Sequence, residues 1–274
     1  MSIRMVALDL DGTTLTSKGE LSDKTRRVLE LAAEQGVYVV VSTGRSFNSL
    51  PPVIKEVKGI AYAITSNGSH INVLSTGESV YDDYILPDNI ETIIHMKDKY
   101  HCGLEVFIDG QAYIDEETYR DIEQNGCEFR NAEYVLWSRK PVPVIEKLLR
   151  DNCNKIENCN FCFNGIDKVE EAKPEISAIP NAQITTSFKN NLEIGGPNTS
   201  KKTALIELMK RLGIDSSELM CCGDAPNDIQ MLELAGIGVA MGNAWGGTQD
   251  HADYVTATND EDGVAIAFEK FVLK

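Results

Sequence analysis

Three short apolar runs near the N-terminus, IRMVALD at 3–9, VYVVVS at 37–42 and IAYAIT at 60–65, are rich in β-branched residues and show no polar alternation. Strands of that kind are covered on both faces, as in a parallel sheet flanked by helices. Between the first two lies LSDKTRRVLELAAEQG. There Ser22 is placed to cap a helix, Val28, Leu29, Leu31 and Ala32 form an apolar stripe, and Gly36 marks the end. This is a βαβ unit. The same grammar returns late in the chain: a helix over about 200–212 stopped by Gly213, a strand ELMCCGD, a helix NDIQMLELAG, short strands IGVAM and DYVT, and a helix over about 261–272. The fold class expected is α/β, a doubly wound and mostly parallel sheet with a Rossmann-like core.

More than a hundred residues separate the two halves of that core. Strand-like GLEVFIDGQAYI and NCNFCFNG alternate there with helical DNIETIIHMKDKY and PVPVIEKLLRDN, which reads as an inserted α+β domain. The expected division is a first core part at 1–84, a cap domain at 85–189 and a second core part at 190–274, with hinges near 83–87 and 188–192. The Asn, Gly and Pro content of TTSFKNNLEIGGPNTSK marks the re-entry into the core. There is no internal repeat, low-complexity tract or long charge block.

In an open parallel sheet, ligands bind beyond the carboxyl ends of the strands. Four polar clusters fall there: Asp9 and Asp11 in VALDLDGTTLTSKG, Thr43 and Gly44 in STGR, Lys201 and Lys202 in NTSKK, and Asp224, Asn227 and Asp228 in GDAPND. Each has an ordinary structural reading as turn or helix-capping chemistry. Two features exceed it. Paired carboxylates raise each other's cost of ionisation unless a cation offsets it. Lysines at a helix start oppose the helix dipole, which calls for an anion nearby. Together Asp9, Asp11 and Asp224 suit a hard cation such as Mg²⁺, and Thr43 and Lys201 suit phosphoryl oxygens. Asp9 is then placed to attack phosphorus.

The motifs DLDGTTL, STGR, TSKKTAL, GDAPNDIQML, GVAMGNA and NDEDGVA occur in an order and spacing that resemble the haloacid dehalogenase superfamily, and within it the Cof-type sugar-phosphate phosphatases with a large α+β cap. The resemblance covers nearly the whole chain. It implies an Mg²⁺-dependent phosphatase acting on small phosphorylated metabolites. Asp9 would be the nucleophile and Asp11 the general acid and then base. Thr43 and the Gly44 amide would bind the phosphoryl group, Lys201 would balance its charge, and Asn227 would contact it. The metal would be held by Asp9, the Asp11 carbonyl and Asp224, with Asp228 supporting that set. The family usually has Gly after its lysine where this chain has Lys202, and the register with TAL selects Lys201. A phosphomutase of the same superfamily and a catalytically inactive binding protein are the alternatives. A response-regulator receiver is disfavoured because its phosphoacceptor follows the third strand, whereas Asp9 ends the first.

With 26 basic and 42 acidic residues the formal charge is −16, which argues against nucleic-acid or anionic-membrane partners. No apolar run approaches the roughly 20 residues of a membrane span, and MSIRMVALDLDG lacks a signal-peptide core, so a cytoplasmic protein is expected. Of the 7 cysteines, Cys159 and Cys162 form one C-x₂-C with no second pair to complete a zinc site. The thiols are expected to be reduced and outside the chemistry.

Overall fold

The computed structural model describes residues 2–127 and 131–273. The chain opens with β1 (Met5–Leu8), α1 (Asp23–Glu34), β2 (Tyr38–Ser42), the single turn α2 (Pro52–Lys55) and β3 (Ile60–Thr65). β1, β2 and β3 are parallel neighbours. Ser22 caps α1 through a bond from the Thr25 amide, and Val28, Leu29 and Ala32 are buried along it. Antiparallel β4 (His70–Val73) and β5 (Ser79–Asp82) extend the sheet on this side, a pair that the sequence reading does not resolve.

The middle of the chain contributes α3 (Ile90–Tyr100), β6 (Gly103–Ile108), β7 (Gln111–Asp115), α4 (Glu116–Asn125), α5 (Ala132–Ser138) and β8 (Arg139–Val142). It continues with α6 (Ile145–Asp151), β9 (Ile156–Cys162), α7 (Ile166–Ile176), β10 (Gln183–Thr185) and β11 (Asn191–Gly195). These strands form a six-stranded sheet in the order β10-β11-β9-β6-β7-β8. Its alternating positions sort by face. Leu104, Val106, Ile108, Cys159, Phe161, Leu192 and Ile194 join Ile93, Leu149 and Ala172 from the helices in one core cluster. The intervening Glu105, Asn158, Asn160, Asn191 and Glu193 are polar yet buried.

The chain then returns through α8 (Lys201–Leu212), β12 (Leu219–Gly223), α9 (Ile229–Leu234), β13 (Ile237–Ala240), β14 (Tyr254–Val255) and α10 (Gly263–Phe271). β12 pairs in parallel with β1, giving an eight-stranded sheet in the order β14-β13-β12-β1-β2-β3-β4-β5. The reversal between β12, which comes late in the chain, and β1–β2 is the switch point at which this fold binds ligands.

Two compact units result: Met1–Gly44, Leu50–Asp82 and Ser200–Lys274 in one, Arg45–Ser49 and Asp83–Thr199 in the other. The return therefore falls at Ser200, later than the residue 190 drawn from the sequence. The reason is β11, which pairs antiparallel with β9 and so belongs to the second sheet. Among the described residues no helix is long and apolar enough to cross a membrane.

Candidate active site

Asp9 follows the last residue of β1, and its amide donates to the Cys222 carbonyl of β12 at 3.0 Å, locking the two strand ends together. The next residues form a tight turn, Leu10–Thr14, in which Thr14 Oγ1 donates back to the Asp9 carbonyl at 2.5 Å. Gly12 stands at φ +76° in this turn, and a Cβ there would lie 2.5 Å from Oδ2 of Asp224. Only glycine combines that backbone with that close approach. Thr13 Oγ1 donates to Asp224 Oδ1 at 2.8 Å, and Asn243 Nδ2 donates to the Gly12 carbonyl at 2.8 Å. The first and last chemical motifs are thus joined directly.

Lys201 is the first residue of α8 and is only 1 % exposed. Its Nζ donates to Asp9 Oδ1 and to Asp228 Oδ1, both at 2.6 Å. The anion that a lysine at a helix start calls for is therefore supplied within the chain. Of the two adjacent lysines it is Lys201 that reaches these carboxylates. Asp228 is fully buried, and its Oδ2 accepts from the amides of Asp224 and Ala225 at 2.9 and 3.0 Å. Both its oxygens are engaged in holding neighbours, so it fixes Lys201 and the Asp224 turn.

One ligand atom from each of Asp9, Asp224 and Asp228 lies within 4.8 Å of the others. Three buried carboxylates face one ammonium, which leaves negative charge uncompensated. Burial, opposed by Lys201 and reinforced by Asp228 and Asp11, raises Asp9 to about 7. Burial and the charges of Asp9 and Asp228 raise Asp224 to about 8. Lys201 is held protonated by its two carboxylates against its own burial. An all-oxygen, net-negative donor set of this kind fits a hard divalent cation. Asp11 is exposed.

Thr43 is buried after β2, and its amide donates to the Ile64 carbonyl of β3 at 2.9 Å. Gly44 beside it is half-buried, and a Cβ there would lie 3.1 Å from Oδ1 of Asn67. Asn227 donates from Nδ2 to that same Oδ1 at 3.0 Å. The structure thus connects Thr43 and Gly44 to the Asp224–Asp228 loop through Asn67, a residue absent from the sequence-derived site. Its signal was the SNG run between two apolar stretches, which reads only as a turn.

The profile of the haloacid dehalogenase-like hydrolases matches residues 6–268. The chain belongs to this family. Among its relatives, 5-amino-6-(5-phospho-D-ribitylamino)uracil phosphatase YcsE of Bacillus subtilis (strain 168) is 30 % identical over 275 residues, covering 100 % of this chain and 97 % of its own. HMP-PP phosphatase of Cronobacter sakazakii is 27 % identical, covering 88 % and 85 %. A solved haloacid dehalogenase-like hydrolase from B. subtilis superposes with a TM-score of 0.85 at 28 % identity, over 99 % of this chain and all of the other.

Proposed function

We propose that this chain is an Mg²⁺-dependent phosphatase that hydrolyses small phosphorylated metabolites, sugar phosphates foremost, through an aspartyl-phosphate on Asp9. The observation that carries the reading is the buried Lys201 bridge between Asp9 and Asp228, set beside Asp224 in a pocket of uncompensated negative charge. The relatives support it, being named as phosphatases of phosphorylated small molecules. Asp9, Asp224 and the backbone carbonyl of Asp11 would hold Mg²⁺, which supplies charge stabilisation to the phosphoryl oxygens.

A carboxylate oxygen of Asp9 attacks phosphorus as the ester P–O bond breaks, and Asp11 gives its proton to the departing alkoxide. Asp11, now a carboxylate, takes a proton from water as that water attacks the acyl-phosphate. Inorganic phosphate leaves and Asp9 is regenerated. Lys201 holds Asp9 in place and balances charge through both steps. Thr43, the Gly44 amide and Asn227 donate to the phosphoryl oxygens. Asp228 orients Lys201 and the Asp224 loop and so supports the metal-holding set. The exposed position of Asp11 suits a group that must reach both leaving group and water. In this reading the second unit is the inserted α+β cap domain.

A phosphate-release screen over phosphorylated metabolites with Mg²⁺, using Asp9→Asn as the blank, tests the proposal. Free phosphate and the dephosphorylated alcohol are expected as products. An isomeric phosphate ester instead would indicate a mutase, and release no greater than the blank across the panel would sink the enzyme reading.

A further inference from the structure

Three consecutive residues after β3, Ser66, Asn67 and Gly68, have φ of 51°, 57° and 101°. L-residues avoid this region, and a run of three persists only where the surroundings hold it. Three contacts of the turn fall on different parts of the phosphoryl site. The Asn67 amide donates to the Thr43 carbonyl at 3.0 Å. Asn67 Oδ1 accepts from Asn227 Nδ2 at 3.0 Å. A Cβ on Gly68 would lie 2.2 Å from the Ser200 carbonyl oxygen and 3.0 Å from the Lys201 amide nitrogen, so this backbone packs directly on the start of α8. Asn67 is itself only 2 % exposed.

We infer that Asn67 is a positioning residue for phosphoryl binding, acting through Asn227. This rests on the phosphatase reading above. The Asn227 Nδ2 carries two hydrogens, of which one goes to Asn67; the other is then directed at the phosphoryl oxygens. Oδ1 of Asn227 is buried with no hydrogen-bond partner among the described residues, so the bond to Asn67 is what sets the plane of the amide. Asparagine suits the place because it tolerates the left-handed region better than other side-chain-bearing residues and carries the acceptor. The same turn fixes Thr43 and the Lys201 helix start, so three donors share one support.

The test is a double-mutant cycle of Asn67→Gly and Asn227→Ala, read as KM and kcat for para-nitrophenyl phosphate and as the competitive inhibition constant of inorganic phosphate. Glycine keeps the left-handed backbone and removes the carboxamide that accepts from Asn227. Asn67→Gly is expected to raise the phosphate inhibition constant and KM about ten-fold, the effect of one lost hydrogen bond to a charged group, with a smaller change in kcat. In the Asn227→Ala background it is expected to add nothing. A purely structural role would lower the folded, active fraction and leave both constants unmoved. Unchanged constants in Asn67→Gly, or a full effect persisting in Asn227→Ala, would overturn the inference. Asn227→Ala, at a half-buried position, provides the measurement even if Asn67→Gly does not fold. Unchanged phosphate affinity in that variant overturns the inference by itself. A wild-type protein that releases no phosphate fails earlier, and takes down the phosphatase reading itself.

Discussion

Replacing Lys201 by Met tests the electrostatic centre of the site without removing much volume. The lysine is 1 % exposed, and its Nζ serves two carboxylates at 2.6 Å each. Removing one partner of a buried ion pair costs about 3–5 kcal/mol, because the charge left behind has neither water nor counterion. At about 2–4 °C per kcal/mol for a domain of this size, the melting temperature should fall by roughly 6–20 °C. Protonation is the escape route. In metal-free protein Asp9 keeps its proton up to about 7, whereas the unfolded chain releases it near 3.8. The folded state therefore binds more protons between those values, and stability falls as pH rises across that window. Without Lys201 the window extends to higher pH, so the variant's deficit should be small at pH 5.5 and large at pH 8. Thermal unfolding by circular dichroism in chelator at both pH values measures this. A melting temperature within 2 °C of wild type at pH 8, or a deficit larger at pH 5.5, would refute the reasoning.

Asp9→Asn should abolish turnover, while Asp11→Asn should slow aspartyl-phosphate formation from alkyl sugar phosphates by about 10²–10⁴ and from aryl phosphates by less. Equal losses for both substrate types in single-turnover kinetics would remove the acid role from Asp11. Gly12→Ala should fold, strained by about 1–3 kcal/mol, and should weaken activation by Mg²⁺ because its methyl group displaces the Asp224 carboxylate 2.5 Å away. An unchanged Mg²⁺ activation constant would contradict that. Burial pushes the Cys102 thiol up to about 12 and Cys159 higher still, and Cys221 and Cys222 are buried in β12. Iodoacetamide at pH 8 should leave these four unlabelled by mass spectrometry, and Cys159→Ser and Cys221→Ser should keep turnover; rapid labelling of Cys159 in folded protein would show the burial to be wrong.

The parallel core was legible because β-branched runs bounded by a capped helix admit few other folds, and α1 with its Ser22 cap shows each element of that pattern. The domain boundary was not. NLEIG sits among Asn, Gly and Pro residues that read as a linker, yet Leu192 and Ile194 complete the core of the second sheet. In β6, β9 and β11 polar residues alternate with apolar ones, and the structure buries the polar face as well. Arg139 pairs with Glu105 at 3.0 Å, Asn160 Nδ2 donates to Glu105 at 3.0 Å, and Asn191 Nδ2 donates to Asn160 at 3.0 Å. Sequence periodicity separates apolar from polar; it does not separate a solvated polar group from one satisfied by partners 30 or more residues away.

Candidate site residues stand out in the sequence where they break a local rule. Two carboxylates at a strand end and a lysine at a helix start are each unfavourable alone. Lys201 answers both, since the helix dipole it opposes is outweighed by two carboxylates brought from opposite ends of the chain. Asn67 broke no such rule. Asn at a left-handed turn position is a locally favourable choice, so nothing in its immediate sequence separates a turn residue from one that orients an amide 160 positions away. Residues whose placement is locally comfortable become visible as site residues only when the fold shows what they touch.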